Sequence, residues 1–231
     1  MTDACIFTMS LGFASPDRFA SFVPGFYAAI AAMAPAPSEV CVACPPGDAS
    51  GVDSPPAGLT VPVRIVRVDS RNPTDFMRAA VEHSAAKWLV WCGLDDRMTP
   101  DALLDIESGD QVDADVVACK CRTSAGEVLG QWNLHELTRG GLNRMAPNSP
   151  FTRAAYSRAG GWPDLHFHDW GLWLRMAKAG VTVLPSDRVG MYYDLGEQHE
   201  TRSGKRMPGE LRARAMSEIQ SLVRELWPTA S

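Results

Sequence analysis

The sequence predicts an α/β fold, in which one domain has a mostly parallel central sheet flanked by helices. Short apolar segments typical of strands alternate with longer amphipathic segments over the first hundred residues, which is the pattern of βαβ units. The chain has 231 residues, enough for one sizeable core. Its composition, 45% hydrophobic and 21% charged, is that of an ordinary globular protein.

The first half of the chain contains four predicted strands and two predicted helices. The strands are apolar runs bounded by turn residues, at 5–9, 39–44, 63–68 and 87–92. The first helix covers 16–33 and is interrupted by Pro24 and Gly25, and the second covers 74–86 and is capped by Asn72 or Thr74. Residues 45–58 are rich in Pro, Gly, Ser and Asp and therefore form a loop.

The second half combines strands and helices with a long irregular segment. Residues 123–148 carry several glycines and no clear period, so we expect irregular structure there. The predicted strands are at 115–122 and 181–185, with a strand and turn at 188–198, and the predicted helices are at 101–107, 151–158, 170–179 and 210–226. No internal repeat or linker interrupts this pattern, which favours one domain.

Charge and segment composition restrict the class of protein. The formal net charge is −5, whereas a broad nucleic-acid-binding face would need clustered Lys and Arg, so the charge disfavours a nucleic-acid acceptor. No run of 18 apolar residues is present, so no transmembrane helix is expected. The N-terminal residues lack the basic and apolar regions of a signal peptide, so we expect a cytoplasmic protein with reduced thiols.

Six cysteines raise the question of a zinc site. Cys41 and Cys44 have the spacing of a CxxC pair, but they lie in a predicted strand. Residues three apart on a strand point to opposite faces, so this pair does not hold one ion without a turn. We expect buried free thiols instead.

The most informative segment is the predicted strand at 87–92 and the two carboxylates that follow it, Asp95 and Asp96. In open α/β sheets, ligands bind at the carboxyl ends of the strands. Adjacent carboxylates repel each other unless a cation or a proton lies between them, and oxygen ligands suit Mg²⁺ or Mn²⁺. The pair therefore predicts a divalent-cation site. The alternative is a solvated turn that caps the next helix.

Four motifs, in this order, resemble those of family 2 glycosyltransferases, which have the GT-A fold. An acid pair follows a strand, a Gly-Gly-aromatic turn comes later, a helix opens with an acidic motif followed by Arg, and a histidine comes last. The matching residues are Asp95 and Asp96; Gly160, Gly161 and Trp162; Asp169 and Arg175; and His199. The resemblance covers about residues 5–201. Each motif alone is weak, but their order and spacing together are specific.

This resemblance implies an inverting, metal-dependent transfer of a sugar from a nucleotide-diphosphate donor to an acceptor hydroxyl, of the hexosyltransferase type. Asp95 and Asp96 would bind Mn²⁺ or Mg²⁺, with His199 reaching the metal or the diphosphate. Asp169 matches the general base. The reaction requires both a cation and a base, because the diphosphate leaving group gains negative charge and the acceptor hydroxyl must lose a proton.

The resemblance also implies donor contacts and a division of the domain. Asp95 matches the ribose-diphosphate contact, Arg78 the arginine of a donor-side helix, and Gly161 the turn that shapes the site, while Trp162 is the best candidate for stacking on a sugar. Residues 1–100 would form a Rossmann-like nucleotide-sugar-binding half, 101–205 the acceptor and catalytic half, and 206–231 a C-terminal helix. Independently of the resemblance, Arg202, Lys205 and Arg206 beside glycine-containing turns predict a mobile basic lid at 202–206 over the diphosphate.

Two departures from the family pattern motivate other functions. Gly93 stands where many relatives have the first aspartate of the acidic motif, and His168 replaces the usual glutamate before Asp169. A catalytically degenerate relative that binds sugar nucleotide without turnover is one alternative. A metal-dependent hydrolase built on His166, His168 and Asp169 is another, because the two histidines share one face of an extended segment.

Single residues also have structural alternatives. Asp169 could cap the helix predicted to begin at Trp170. Arg78 on a helix is also compatible with a surface ion pair. Trp170 and Trp173 are three residues apart on a helix, so we expect them to pack in the core.

Overall fold

The computed structural model describes residues 2–10, 16–48, 51–130, 132–133, 137, 143–193 and 209–228. The strands in this part of the chain are β1 Thr2–Met9, β2 Pro37–Cys44, β3 Val63–Arg67, β4 Trp88–Trp91, β5 Arg97–Met98, β6 Val116–Thr123, β7 Val128–Leu129, β8 Phe151–Thr152 and β9 Val183–Tyr193. The helices are α1 Pro16–Ala31, α2 Pro73–Glu82, α3 Asp105–Gln111, α4 Arg153–Arg158, α5 His168–Lys178 and α6 Gly209–Leu226.

All nine strands belong to one mixed sheet. Its order is β3-β2-β1-β4-β8-β6-β9-β5, with β7 paired to β6. The longer strands pair in parallel, β1 with β2 and β4, β2 with β3, and β6 with β9. Antiparallel pairing is confined to partners of the two-residue strands β5, β7 and β8. The predicted fold class, one α/β domain with a mostly parallel sheet, is confirmed.

Helices cover both faces of the sheet, because the central strands are apolar on both sides. On the first face, α2, α4, α5 and α6 pack over a cluster that includes Phe7 and Trp91. On the second face, α1 and α3 pack over a cluster that includes Ile6 and Val90. Neighbouring residues of one strand thus point into different cores, which is the two-residue period of a strand that is buried on both sides.

The cysteines follow the same alternation. Cys41 belongs to the first-face core and Cys44 to the second, as predicted for two strand residues three apart. All six cysteines are buried free thiols. Burial raises the pKa of Cys41 to about 12 and that of Cys44 to about 11, which keeps both thiols protonated at neutral pH.

Helix α1 runs without a break through Pro24, contrary to the predicted interruption. Pro24 and Gly25 are exposed, whereas Val23, Phe26 and Tyr27 are buried. Packing of this apolar face therefore outweighs the poor helix propensity of the Pro-Gly pair.

Helix α3 and the strands β8 and β9 also differ from the sequence prediction, and the two-residue strands β5 and β7 were not predicted. Helix α3 begins at Asp105 rather than 101, because residues 101–104 form turns. Phe151 and Thr152 form a strand between β4 and β6, and the Thr152 side chain then caps α4 by accepting a hydrogen bond from the Ala155 amide. The segment from Val183 to Tyr193 is one long strand rather than two. Among the described residues, no helix is long and apolar enough to cross a membrane.

Candidate active site

The candidate site lies where the parallel strands β1 to β4 end. Because these strands run in the same direction, their carboxyl ends meet at one edge of the sheet. The loop after β2 is fastened at this edge by an ion pair of 2.7 Å between Arg67 and Asp53. The Tyr27 hydroxyl donates a hydrogen bond to the Val52 carbonyl of the same loop. Val52 and Asp53 of this loop are therefore held by contacts with α1 and β3.

Asp95 and Asp96 lie in a tight turn that joins β4 to β5. The Asp96 amide donates to the Gly93 carbonyl across 3.1 Å, and the chain enters β5 at the next residue. Asp96 is only 5% exposed, whereas Asp95 is half-buried.

The acid pair does not cap a helix. The N-cap of α3 is Leu104, and it makes no side-chain capping bond. Asp101, shortly before α3, and Asp105, its first residue, form ion pairs with Arg188 on β9. The alternative of a capping role for Asp95 and Asp96 is therefore wrong.

The acid pair fits a hard divalent cation in its chemistry. Two carboxylates supply oxygen ligands, and Mg²⁺ or Mn²⁺ usually takes phosphate and water oxygens for the rest of its shell. Within the described ranges, no group of three or more His, Cys, Asp and Glu could hold a metal ion by itself. His199, the third predicted ligand, and the predicted basic lid at 202–206 lie outside the described residues.

Asp169 lies in the first turn of α5, and a hydrogen bond from another segment holds its carboxylate. The Asn143 side-chain amide donates to Asp169 Oδ2 across 2.9 Å. The Asn143 side-chain oxygen accepts from the Met145 amide across 3.1 Å, which orients the amide group toward Asp169. Helix α5 begins at His168 with Phe167 as its N-cap, so the alternative that Asp169 is the N-cap is wrong.

The Gly-Gly-Trp motif forms the predicted turn between α4 and α5. Gly160 and Gly161 have φ angles of +75° and +72°, a region that residues with a side chain rarely adopt. Arg175 donates to the carbonyl oxygens of both glycines across 3.2 Å. The arginine of the α5 motif thus fixes the turn that precedes the helix.

Trp162 is part of the core, which corrects the predicted stacking role. The residue is 1% exposed, and its ring contacts the rings of Phe7 and Phe151 with centroid distances of 6.3 Å each. A ring that stacks on a sugar needs an exposed face, and this ring has none. Trp170 and Trp173 are also buried, which confirms their predicted packing role.

Arg78 reaches toward the same turn from α2. Its Nε and Nη2 atoms donate to the Trp162 carbonyl oxygen across 3.2 and 2.7 Å, and Nη1 lies 3.3 Å from an Asp75 oxygen. The Asn72 side chain donates to Asp164 across 2.8 Å. These contacts fasten the start of α2 to the turn before α5. The donor contact of Arg78 stays a prediction.

The two histidines of the hydrolase alternative have different partners. His166 Nδ1 lies 2.9 Å from a Glu218 carboxylate oxygen on α6. The His168 ring meets the Trp162 ring edge-on at a centroid distance of 5.8 Å. The described residues therefore give this alternative no shared metal site.

Sequence reasoning did not identify Asn143 as a site residue. It lies within the segment predicted to be irregular, and its bond to Asp169 spans 26 residues. No local pattern marks such a contact, although an Asn in a turn is a common hydrogen-bonding residue.

Comparison with known proteins identifies the fold. No family model matches the chain, and no curated protein matches it. Residues 1–349 of TarS from S. aureus match 100% of this chain and 73% of that one, at 13% identity and a TM-score of 0.65. The same fragment in complex with UDP-GlcNAc matches 98% of this chain and 71% of that one, at 13% identity and a TM-score of 0.69.

A third similar structure is the mannosyltransferase PcManGT from Pyrobaculum calidifontis in complex with GDP-Man and Mn²⁺. It matches 99% of this chain and 74% of that one, at 12% identity and a TM-score of 0.62. The chain therefore has a fold found in proteins that bind nucleotide sugars. At this level of identity the likeness establishes the fold, and membership of family 2 stays a prediction.

Proposed function

We propose that this protein is an inverting, divalent-metal-dependent glycosyltransferase that moves a sugar from a nucleoside diphosphate to an acceptor hydroxyl. The observation that carries the proposal is the acid pair, Asp95 and Asp96, at the carboxyl end of β4. It supplies oxygen ligands at the edge where α/β sheets bind ligands. Structures with the same fold hold UDP-GlcNAc, or GDP-Man with Mn²⁺, which supports a donor of this class.

Asp95 and Asp96 would hold Mn²⁺ or Mg²⁺ together with the diphosphate of the donor. The bound ion would supply charge neutralisation to the leaving diphosphate. Because Asp96 is only 5% exposed, water would compete little with the ion for its carboxylate. The half-buried Asp95 is the more accessible oxygen source for the ion.

Asp169 would accept the proton of the acceptor hydroxyl. As that proton moves to the carboxylate, the acceptor oxygen forms a bond to the anomeric carbon, and the bond from that carbon to the diphosphate oxygen breaks. Asn143 engages Oδ2 of Asp169, so the carboxylate has a fixed orientation before substrate binds. One base and one displacement give inversion at the anomeric carbon.

A thermal unfolding assay across nucleotides tests the proposal. We expect UDP, GDP or another nucleoside diphosphate to raise the melting temperature by roughly 5–10 °C at about 100 times its Kd, and only with Mn²⁺ or Mg²⁺ present. The Asp95→Asn/Asp96→Asn variant should lose this shift. The matched control is Asp113→Asn/Asp187→Asn, which removes two exposed carboxylates elsewhere and should keep the shift.

A measurement of sugar release from the donor, made beside the thermal assay, separates transfer from binding alone. His168 packs edge-on against Trp162 where relatives have a glutamate, which favours a degenerate binding protein as the second candidate. A metal-dependent shift with no release of sugar from any donor, alone or with an acceptor panel, would support that candidate. No shift with any nucleotide would reject both.

A further inference from the structure

Four residues form a row across the strands that follow the acid pair. Arg97 on β5 pairs with Tyr192 on β9, and Tyr192 pairs with Arg122 on β6. Arg122 in turn pairs with Val128 on β7. Residues that pair directly across neighbouring strands have side chains on the same face of the sheet. We call Arg97, Tyr192 and Arg122 the cationic row.

The cationic row is exposed, and the pairs beside it are buried. Tyr192 is 50% exposed, and Arg97 and Arg122 are also exposed. The next row, Met98, Met191 and Cys121, lies in the second-face core. The alternation places the cationic row on the first face, the face against which α5 and its Asp169 pack.

The two arginines of the row have no counter-charge in the part of the chain that the structure describes. Lys120, two residues before Arg122 on the same face of β6, shows the contrast, because its ammonium group lies 2.7 Å from an Asp187 carboxylate oxygen. An exposed guanidinium without an internal acceptor keeps its five donors available for an external anion. In a chain with a net charge of −5, this is a local positive surface.

The cationic row also adjoins the acid pair of the proposed active site. Arg97 directly follows Asp96; Asp96 is buried, and Arg97 is exposed. Arg97 and Arg122 are two strand spacings apart, about 10 Å. This backbone separation allows the two guanidinium groups to bind separate anionic groups of one molecule. Tyr192 between them offers a flat surface to a sugar or polyol.

We propose that the cationic row binds the acceptor, and that the acceptor is an anionic, hydroxyl-bearing chain with phosphate or carboxylate groups. This inference rests on the proposed glycosyltransferase function and names its acceptor class. Arg97 and Arg122 each take an oxyanion through charge-assisted hydrogen bonds, and Tyr192 packs against the carbon skeleton between them. The acceptor is held on the face of the sheet that carries Asp169.

Three probes of stated charge test the row by isothermal titration. Short-chain inorganic polyphosphate carries phosphate groups, oligogalacturonate carries carboxylates, and maltoheptaose is neutral. We expect one of the two anionic probes to bind and maltoheptaose not to bind. The probe that binds shows whether the acceptor carries phosphate or carboxylate groups. Binding should weaken as salt rises, because the contact is a surface charge interaction.

Two charge-matched variants localise the binding. Arg97→Gln/Arg122→Gln should weaken anion binding by about tenfold or more, since two charge-assisted contacts are lost. Arg212→Gln/Arg224→Gln removes two exposed arginines on α6 and should change it by less than about twofold. Equal losses in both variants, or no anion binding by the wild type, would overturn the proposal.

Nucleotide binding to the same variants separates this proposal from the proposed function. Arg97→Gln/Arg122→Gln should keep the metal-dependent thermal shift with the nucleotide. Loss of that shift would assign the row to the donor and overturn the acceptor role. If anions bind at the row while no nucleotide binds anywhere, the transferase function fails and the anion site stands.

Discussion

Asn143 donates a hydrogen bond to the Asp169 carboxylate across 2.9 Å, from a turn 26 residues earlier in the chain. The Asn143 side-chain oxygen is occupied by the Met145 amide, so the orientation of its NH₂ group is determined by the turn. Asp169 Oδ2 is thereby engaged, and Oδ1 has no hydrogen-bond partner among the described residues, so it is the oxygen that would accept a proton. This is the arrangement expected of a positioned base.

Two substitutions at Asn143 separate the hydrogen bond from the turn. Asn143→Asp keeps an acceptor for the Met145 amide but places a second carboxylate against Asp169. Asn143→Ser keeps a shorter acceptor for the Met145 amide, and its side chain does not reach Asp169. We expect kcat to fall about tenfold or more in both, because a hydrogen bond to a charged group contributes about 1.5–3 kcal/mol. Nucleotide affinity should stay unchanged. A change in nucleotide affinity without a change in kcat would contradict this role.

Arg78 has a structural contact that can be separated from its predicted donor contact. Two of its nitrogens hold the Trp162 carbonyl oxygen, a geometry that lysine does not reproduce. Arg78→Lys and Arg78→Met should both lower the free energy of unfolding by about 1–2 kcal/mol in chemical denaturation. If the donor role holds, only Arg78→Met weakens nucleotide binding. Equal nucleotide affinity in the two variants would remove Arg78 from the donor site.

Gly160 and Gly161 have nearly the same φ angle but different surroundings, so each is the control for the other. A Cβ on Gly160 meets no atom within 4 Å, whereas a Cβ on Gly161 lies 3.0 Å from the Tyr156 hydroxyl. Gly160→Ala should cost about 1–2 kcal/mol of stability from backbone strain alone. Gly161→Ala should lower the free energy of unfolding by more than Gly160→Ala does. Equal decreases for the two variants in denaturant unfolding would show that the Tyr156 side chain moves away at no cost.

Asp115 gives the fold a pH-dependent contribution. Burial opposes ionisation, but hydrogen bonds from Thr182 and Arg158 outweigh it and hold the pKa of this carboxyl below its usual value. A lowered pKa stabilises the fold above the unfolded-state value, about 3.9, and the stabilisation is lost as pH falls through the folded-state pKa.

The Asp115→Asn variant measures this contribution. It should lower the free energy of unfolding by about 2 kcal/mol at pH 7, with the difference from wild type shrinking as pH falls below about 4. Asp113→Asn makes the same charge change at an exposed neighbour and should leave the pH profile unaltered. A pH-independent difference for Asp115→Asn would contradict the assignment.

The sequence predicts the strands β1 to β4 well, because the patterns that indicate them are local. Each of the strands β1 to β4 contains a short apolar stretch, interrupted in β3 by Arg64, and turn residues bound these segments. Helix α2 begins at the predicted cap, with the Asn72 side chain accepting from the Thr74 amide. The position of the acid pair was also predictable, because Asp95 and Asp96 come shortly after the last residue of β4, Trp91.

Other features depend on contacts that no local pattern encodes. The strands β5 and β7 have two residues each, too short to show a period, and they exist because β9 and β6 lie beside them. The burial of Trp162 depends on Phe7 and Phe151 from distant strands. The cationic row depends on the register of strands that are far apart in sequence.

A count of bound Mn²⁺ tests the central claim most directly. Free Mn²⁺ is followed by electron paramagnetic resonance as protein is titrated, with and without the nucleoside diphosphate that gives the largest thermal shift. We expect one ion per chain with the nucleotide, lost in Asp95→Asn/Asp96→Asn and retained in Asp113→Asn/Asp187→Asn. Bound Mn²⁺ that persists in Asp95→Asn/Asp96→Asn, or no nucleotide-dependent Mn²⁺ in the wild type, would contradict the assignment of the acid pair as the metal and donor site.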